Sequence, residues 1–155
     1  MFLTVHVASG LVIGKYIPSA IFAFVVGFIS HIILDIIPHD SIELEKWKKP
    51  EVTKILIILF LIEIPLIAII LIALFGIYGF ELTPSIISAI IGSVILDFLW
   101  GSYLIFPKFR FMKIFKTINH KSHEIMYKSI FLPWKQWLPI QLSLLIIFLL
   151  IYTFI

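Results

Sequence analysis

Gly27-Phe28-Ile29-Ser30-His31-Ile32-Ile33-Leu34-Asp35-Ile36-Ile37-Pro38-His39-Asp40 is the stretch on which the reading of this chain turns. It is apolar enough to live in lipid, yet it carries His31, Asp35 and His39 at a spacing of four. A helix stacks such residues on one face, roughly 6 Å apart from turn to turn. Imidazole and carboxylate held together at low water content make either a metal site or a proton-handling site. Pro38 cannot continue the backbone ladder, so the helix is expected to stop there, with His39 and Asp40 beyond its end. On either chemistry the segment does more than anchor a protein in a membrane.

The rest of the chain has the same character. Of its 155 residues, 61% are hydrophobic and 14% charged, and the mean hydropathy is +1.14. Soluble domains run near one quarter charged, so the expectation is an all-α, polytopic membrane bundle of about five helices in a single domain, residues 1–155. With no cysteine, disulfides, thiolate ligands and cysteine nucleophiles are excluded. The net charge of +3 does not call for nucleic acid, because membrane proteins carry Lys and Arg on cytoplasmic loops for topological reasons. The first residues lack the basic region and cleavage site of a signal peptide, so the N-terminus is expected to be retained.

Apolar runs predict helices over about 2–16, 19–37, 52–78, 83–103 and 137–155. The first is shorter than the roughly 20 residues of a full span, so it is expected to tilt, stop short or re-enter. Its Gly10-x-x-x-Gly14 spacing permits close approach to a neighbour. Pro65 interrupts the third run. Eleven of the 12 Lys and Arg fall within or beside two loops, 38–51 and 106–136, leaving Lys15 alone elsewhere. The positive-inside rule then places both loops and the N-terminus in the cytoplasm and the C-terminus outside, in a multi-pass inner-membrane protein. Trp47, Trp100, Trp134 and Trp137 fit the cytoplasmic boundary, and Tyr16, Tyr78 and Tyr152 the opposite one. The basic, aromatic segment from Pro107 to Lys128 reads as an interfacial amphipathic helix on anionic lipid, or else as a docking or headgroup-binding surface.

Ranked by depth, the ionisable residues converge. His6, His31, Asp35 and Asp97 point toward the cytoplasmic leaflet, followed by His120, His123 and Glu124; Glu63 lies near the middle of the third helix. A lone charge in a helix centre costs at least roughly 2.5–3.5 kcal/mol, so these groups are expected to face inward and be partnered. Each has a plainer reading. His6 can sit among headgroups, and His31 with Asp35 can form a pair that only ties helices together. Asp97 can bond Ser93, and Glu63 can satisfy backbone groups freed by Pro65. His39 and Asp40 can merely end the second helix, and His120 with His123 can belong to a solvated loop. A faint internal echo points toward convergence: Ile32-Ile33-Leu34-Asp35-Ile36-Ile37 is similar to Val94-Ile95-Leu96-Asp97-Phe98-Leu99.

At these residues the chain resembles the YdjM-type inner-membrane proteins, described as membrane-bound metal-dependent hydrolases. The likeness rests on His6-Val7-Ala8-Ser9-Gly10, on Gly27-x-x-Ser30-His31-x-x-x-Asp35, and on Pro38-His39-Asp40. Asp97 matches a later Pro-Asp of the family, with Leu96 in the place of its proline. The resemblance covers about the first forty residues. It implies one or two divalent ions held by His6, His31, Asp35 and Asp97, with His123 or His39 completing the shell. Nitrogen and oxygen donors without thiolate suit Zn, Mn or Fe. Glu124 or Asp40 is the expected general base. Membrane lipid is the expected surroundings and a phospholipid or other amphiphilic phosphoester the expected substrate. Two other functions stand beside this one: a non-catalytic scaffold recruiting a cytoplasmic partner, and an ion or proton-coupled transporter.

Overall fold

The computed structural model describes residues 1–37, 49–105 and 134–155, together with Ile114 and Thr117. Five helices make up the described residues: α1 (Leu3–Tyr16), α2 (Ala20–Ile36), α3 (Lys49–Leu71), α4 (Pro84–Ile105) and α5 (Trp134–Phe154). A π-helical turn, Ile72–Ile77, prolongs α3. The protein is an all-α bundle with no strand among the described residues. With the π-helical turn counted as part of α3, these helices depart from the bounds expected of them by three residues at most. The segment read as an interfacial helix, and most of the two basic loops, lie outside the described residues.

Local chemistry explains where the helices begin and end. Ser19 opens α2, its hydroxyl accepting the Phe22 N–H at 3.4 Å. Ile37, just before Pro38, is already extended, as the residue preceding a proline tends to be. Pro65 does not interrupt α3, contrary to expectation. It is exposed, and the helix bears the lost ladder bond and the crowding of the ring on the preceding turn without ending there. The ladder loosens instead at Ile72–Ile77 and ends at Gly79, whose φ of +69° takes the left-handed turn.

Among the described residues, three helices hold stretches long and apolar enough to cross a membrane, Phe60–Ile77, Pro84–Tyr103 and Gln136–Phe154. The remaining two are shorter, 14 residues in α1 and 17 in α2. In α1 the brevity goes with a central position. It packs against α2, α3, α4 and α5, and nine of its residues are buried, from Thr4 through Leu11 and at Gly14. A helix covered on all sides needs neither an apolar stripe nor a full membrane's length.

Glycines set the closest approaches. A Cβ at Gly10 would lie 2.8 Å from the Ile90 Cα and from the Ser93 hydroxyl, and one at Gly14 would collide with the Ile86 backbone. The Gly10-x-x-x-Gly14 face therefore meets α4. Between α2 and α4, Gly27 admits the Ala89 carbonyl and Gly92 admits the Phe24 carbonyl. Gly27 meets Ala89 and His31 meets Ser93, so these two helices run parallel with one constant offset. That offset is the one relating the two similar sequence runs, and it brings Asp35 and Asp97 to the same level.

Away from the histidines, Leu11, Leu74, Ile86 and Tyr152 form an apolar cluster, flanked by Phe75 and Phe80. Tyr152 thus belongs to the interior rather than to a boundary belt; it is 2% exposed and stacks near Phe80 with ring centroids 5.2 Å apart. Tyr16 and Tyr78 are exposed, as a belt requires. Lys15 donates to the Tyr152 carbonyl at 2.7 Å. It places a cation where the C-terminal turns of two parallel helices, α1 and α5, concentrate negative charge.

Candidate metal centre

The end of the bundle that holds the first turn of α1 and the last turn of α2 is polar inside. His6, one turn into α1, and His31, on α2, stack with ring centroids 4.1 Å apart and planes inclined by 21°. Asp35 follows His31 by one helical turn and bridges the Nε2 edges of the two rings. Its carboxylate lies 3.3 Å from His6 Nε2 and 3.1 Å from His31 Nε2. From α4, Asp97 comes within 4.0 Å of His6 Nε2 and 3.7 Å of His31 Nε2. One donor atom each from His6, His31 and Asp97 lies within 4.8 Å of the other two. The convergence expected of His6, His31, Asp35 and Asp97 is therefore present.

The His31 ring is held from behind. Its Nδ1 lies 2.7 Å from the Ser93 carbonyl oxygen. A carbonyl can only accept, so Nδ1 carries the proton and, in the neutral ring, Nε2 offers a lone pair. That lone pair faces the oxygens of Asp35 and Asp97. His31 Nε2 makes no hydrogen bond there, and neither His6 nitrogen has a hydrogen-bond partner. Lone pairs and carboxylate oxygens at 3–4 Å repel unless a cation stands among them. An added proton on an imidazole, or a metal ion, would supply positive charge there beyond that of the N-terminal ammonium beside Asp35.

His6, His31 and Asp35 are fully buried, whereas the Asp97 side chain is 28% exposed. The cluster thus opens on its Asp97 side. Asp35 also pairs with the N-terminal ammonium at 3.1 Å, so part of its charge is already balanced. Histidine and carboxylate oxygen, held by a backbone acceptor behind one ring, form a donor set suited to Zn, Mn or Fe. The residues present fit such an ion.

Glu63 occupies a place its own helix does not suggest. Its Oε2 accepts both the backbone N–H and the hydroxyl of Thr4, each at 2.9 Å. It therefore satisfies orphan donors at the start of α1, not groups freed by Pro65 on α3. Gln141 of α5 does the same for the Phe2 N–H at 2.6 Å. Gln141 was not singled out from the sequence, although a glutamine within an apolar run was a usable signal, since buried amides need partners. His39, Asp40, His123 and Glu124, the expected outer ligands and bases, lie outside the described residues, as does His120.

Comparison with family models, with curated proteins and with solved structures finds no match to the chain.

Proposed function

We propose that the protein is a membrane-embedded, metal-dependent hydrolase whose centre is held by His6, His31 and Asp97, with Asp35 adjoining. The observation that carries this reading is the His31 ring, whose Nδ1 is committed to the Ser93 carbonyl while Nε2 faces two carboxylates. A divalent ion would supply Lewis acidity, polarising a phosphoryl or acyl oxygen and acidifying water.

The chain's own residues supply orientation and exclusion of water. Ser93 fixes the tautomer of His31, and the same carbonyl is the helical acceptor for Asp97, so ligand and backbone are positioned together. Burial of both imidazoles keeps solvent from one side of the centre. The partly exposed Asp97 side leaves room for a reactant. The YdjM-type resemblance of the first forty residues supports the same assignment.

Lipid is the natural source of substrate for a centre inside so apolar a bundle. The connection between α4 and α5 is rich in Lys and Arg, which favours an anionic headgroup. A phospholipid or other amphiphilic phosphoester at the cytoplasmic leaflet of the inner membrane is the substrate class we put forward. The positive-inside rule supports that side, with the N-terminus cytoplasmic and the C-terminus outside.

The test is phosphoester hydrolysis by purified, metal-loaded protein reconstituted in anionic phospholipid vesicles. Activity in wild type, lost in His31→Ala and in Asp97→Ala, is expected. Equal turnover in wild type and His31→Ala would remove the centre from the reaction. A second reading has one observation in its favour, the ammonium already paired with Asp35. On that reading the cluster is a buried ion-pair network with His31 protonated, serving a scaffold rather than a catalyst. Wild-type protein that folds and stays stable without bound metal would favour it.

A further inference from the structure

We infer that Glu63 is a positioning residue which, with Gln141, fixes the axial register of α1 and so decides where His6 stands. The first N–H groups of a helix have no partner within it. In α1 these groups are buried among other helices, where water cannot serve them and an unmet donor is costly. Thr4 is 2% exposed and Glu63 8%. Two side chains from different helices meet the need, Glu63 from α3 at Thr4 and Gln141 from α5 at Phe2. Both ends of this arrangement agree with the helix dipole, an acid at the positive end and Lys15 at the negative end.

His6 follows Thr4 by two residues. Sliding α1 by one residue would translate His6 by about 1.5 Å and turn it by about 100° about the helix axis. Its Nε2 would then leave the oxygens of Asp35 and Asp97, which it approaches at 3.3 and 4.0 Å. The α1–α4 contact opposes such a slide as well, because Ser9 or Leu11 would then take the place of Gly10, where a Cβ already meets Ile90 and Ser93 at 2.8 Å. The polar bonds at the first turn add a directional stop at the end where His6 stands. What the stop requires is an acceptor at the Glu63 Oε2 position, so glutamine should serve and alanine should not.

The consequence for metal binding rests on the proposed function, but the register itself does not, and the experiment keeps the two apart. The native chain has no cysteine, and the Ser9 and Ser30 hydroxyls lie 3.4 Å apart across α1 and α2. A Ser9→Cys, Ser30→Cys protein in native-like bilayers therefore reports α1 register through its disulfide yield. Glu63→Ala is expected to cut that yield at least twofold, and Glu63→Gln to restore it. In the parent background, zinc affinity should fall by roughly tenfold or more in Glu63→Ala and stay within about threefold of wild type in Glu63→Gln. Unchanged crosslinking in Glu63→Ala protein that remains folded overturns the inference, whatever the zinc result. Lowered crosslinking in a wild-type background that binds no zinc supports the register role and refutes the metal centre alone.

Discussion

At one end of the bundle, two imidazoles, two aspartates, Glu63 and Gln141 are packed among helix termini. Toward the other, Leu11, Leu74, Ile86 and Tyr152 form an apolar cluster, with Lys15 beside it. The same helix, α1, runs through both. The apolar end needs only shape, and many residues of similar volume would fill it. The polar end carries a desolvation cost that apolar side chains would avoid. Stability therefore does not explain it, and the metal chemistry we propose would. The two ends should answer mutation in opposite ways.

One of the two largest effects is expected between the ends, where α2 and α4 touch backbone to backbone. Gly92→Leu drives a side chain into the Phe24 carbonyl, and the helices must part. We expect a loss of about 3 kcal/mol or more in folding stability, measured by denaturant titration in mixed micelles. Near-normal stability in that variant would mean that the two helices are not held at this distance.

Single and paired changes at the polar end sharpen the contrast. Asp35→Ala strips both imidazoles of their nearest carboxylate and should destabilise the fold by about 3–5 kcal/mol, as breaking a buried pair does. The paired change His31→Leu, Asp35→Met should recover most of that loss while leaving metal binding absent. A paired variant as unstable as Asp35→Ala would show the polar cluster to be a structural requirement after all.

At the apolar end the order reverses. Leu11→Ala should cost about 2 kcal/mol, the low end of the range for core truncations, because lipid is as apolar as the interior and the transfer part of the usual cost is small. Its metal content should equal that of wild type, and a loss of metal there would erase the distinction between the ends. The smallest effect is expected at Lys15→Met, which removes a cation from two helix C-termini at a cost of about 1 kcal/mol.

Much of this was legible in the sequence. Apolar run length and loop charge located the helices because lipid leaves few other solutions. The four-residue spacing of His31 and Asp35 put both on one face, and the cost of burying His6 and Asp97 alone required partners for them. Other features depend on contacts that no local pattern encodes. The place of α1 in the middle of the bundle follows from glycine faces on two helices meeting at once. Glu63 looked like a partner for Pro65, its neighbour in sequence, yet it serves Thr4, 59 residues away. Tyr152 looked like a boundary aromatic because it is near the end of a span, but the turn at Gly79 brings Phe80 over it. Ser93 acts through its backbone, which leaves no mark in residue type.

The central claim is that His6, His31 and Asp97 hold a divalent ion. Elemental analysis of purified wild-type protein beside His31→Ala, each exposed to zinc and dialysed, tests it most directly. Near-stoichiometric zinc in wild type, falling below about a tenth in the variant, is the expected result. Zinc absent from wild type, or bound equally by both, would contradict it.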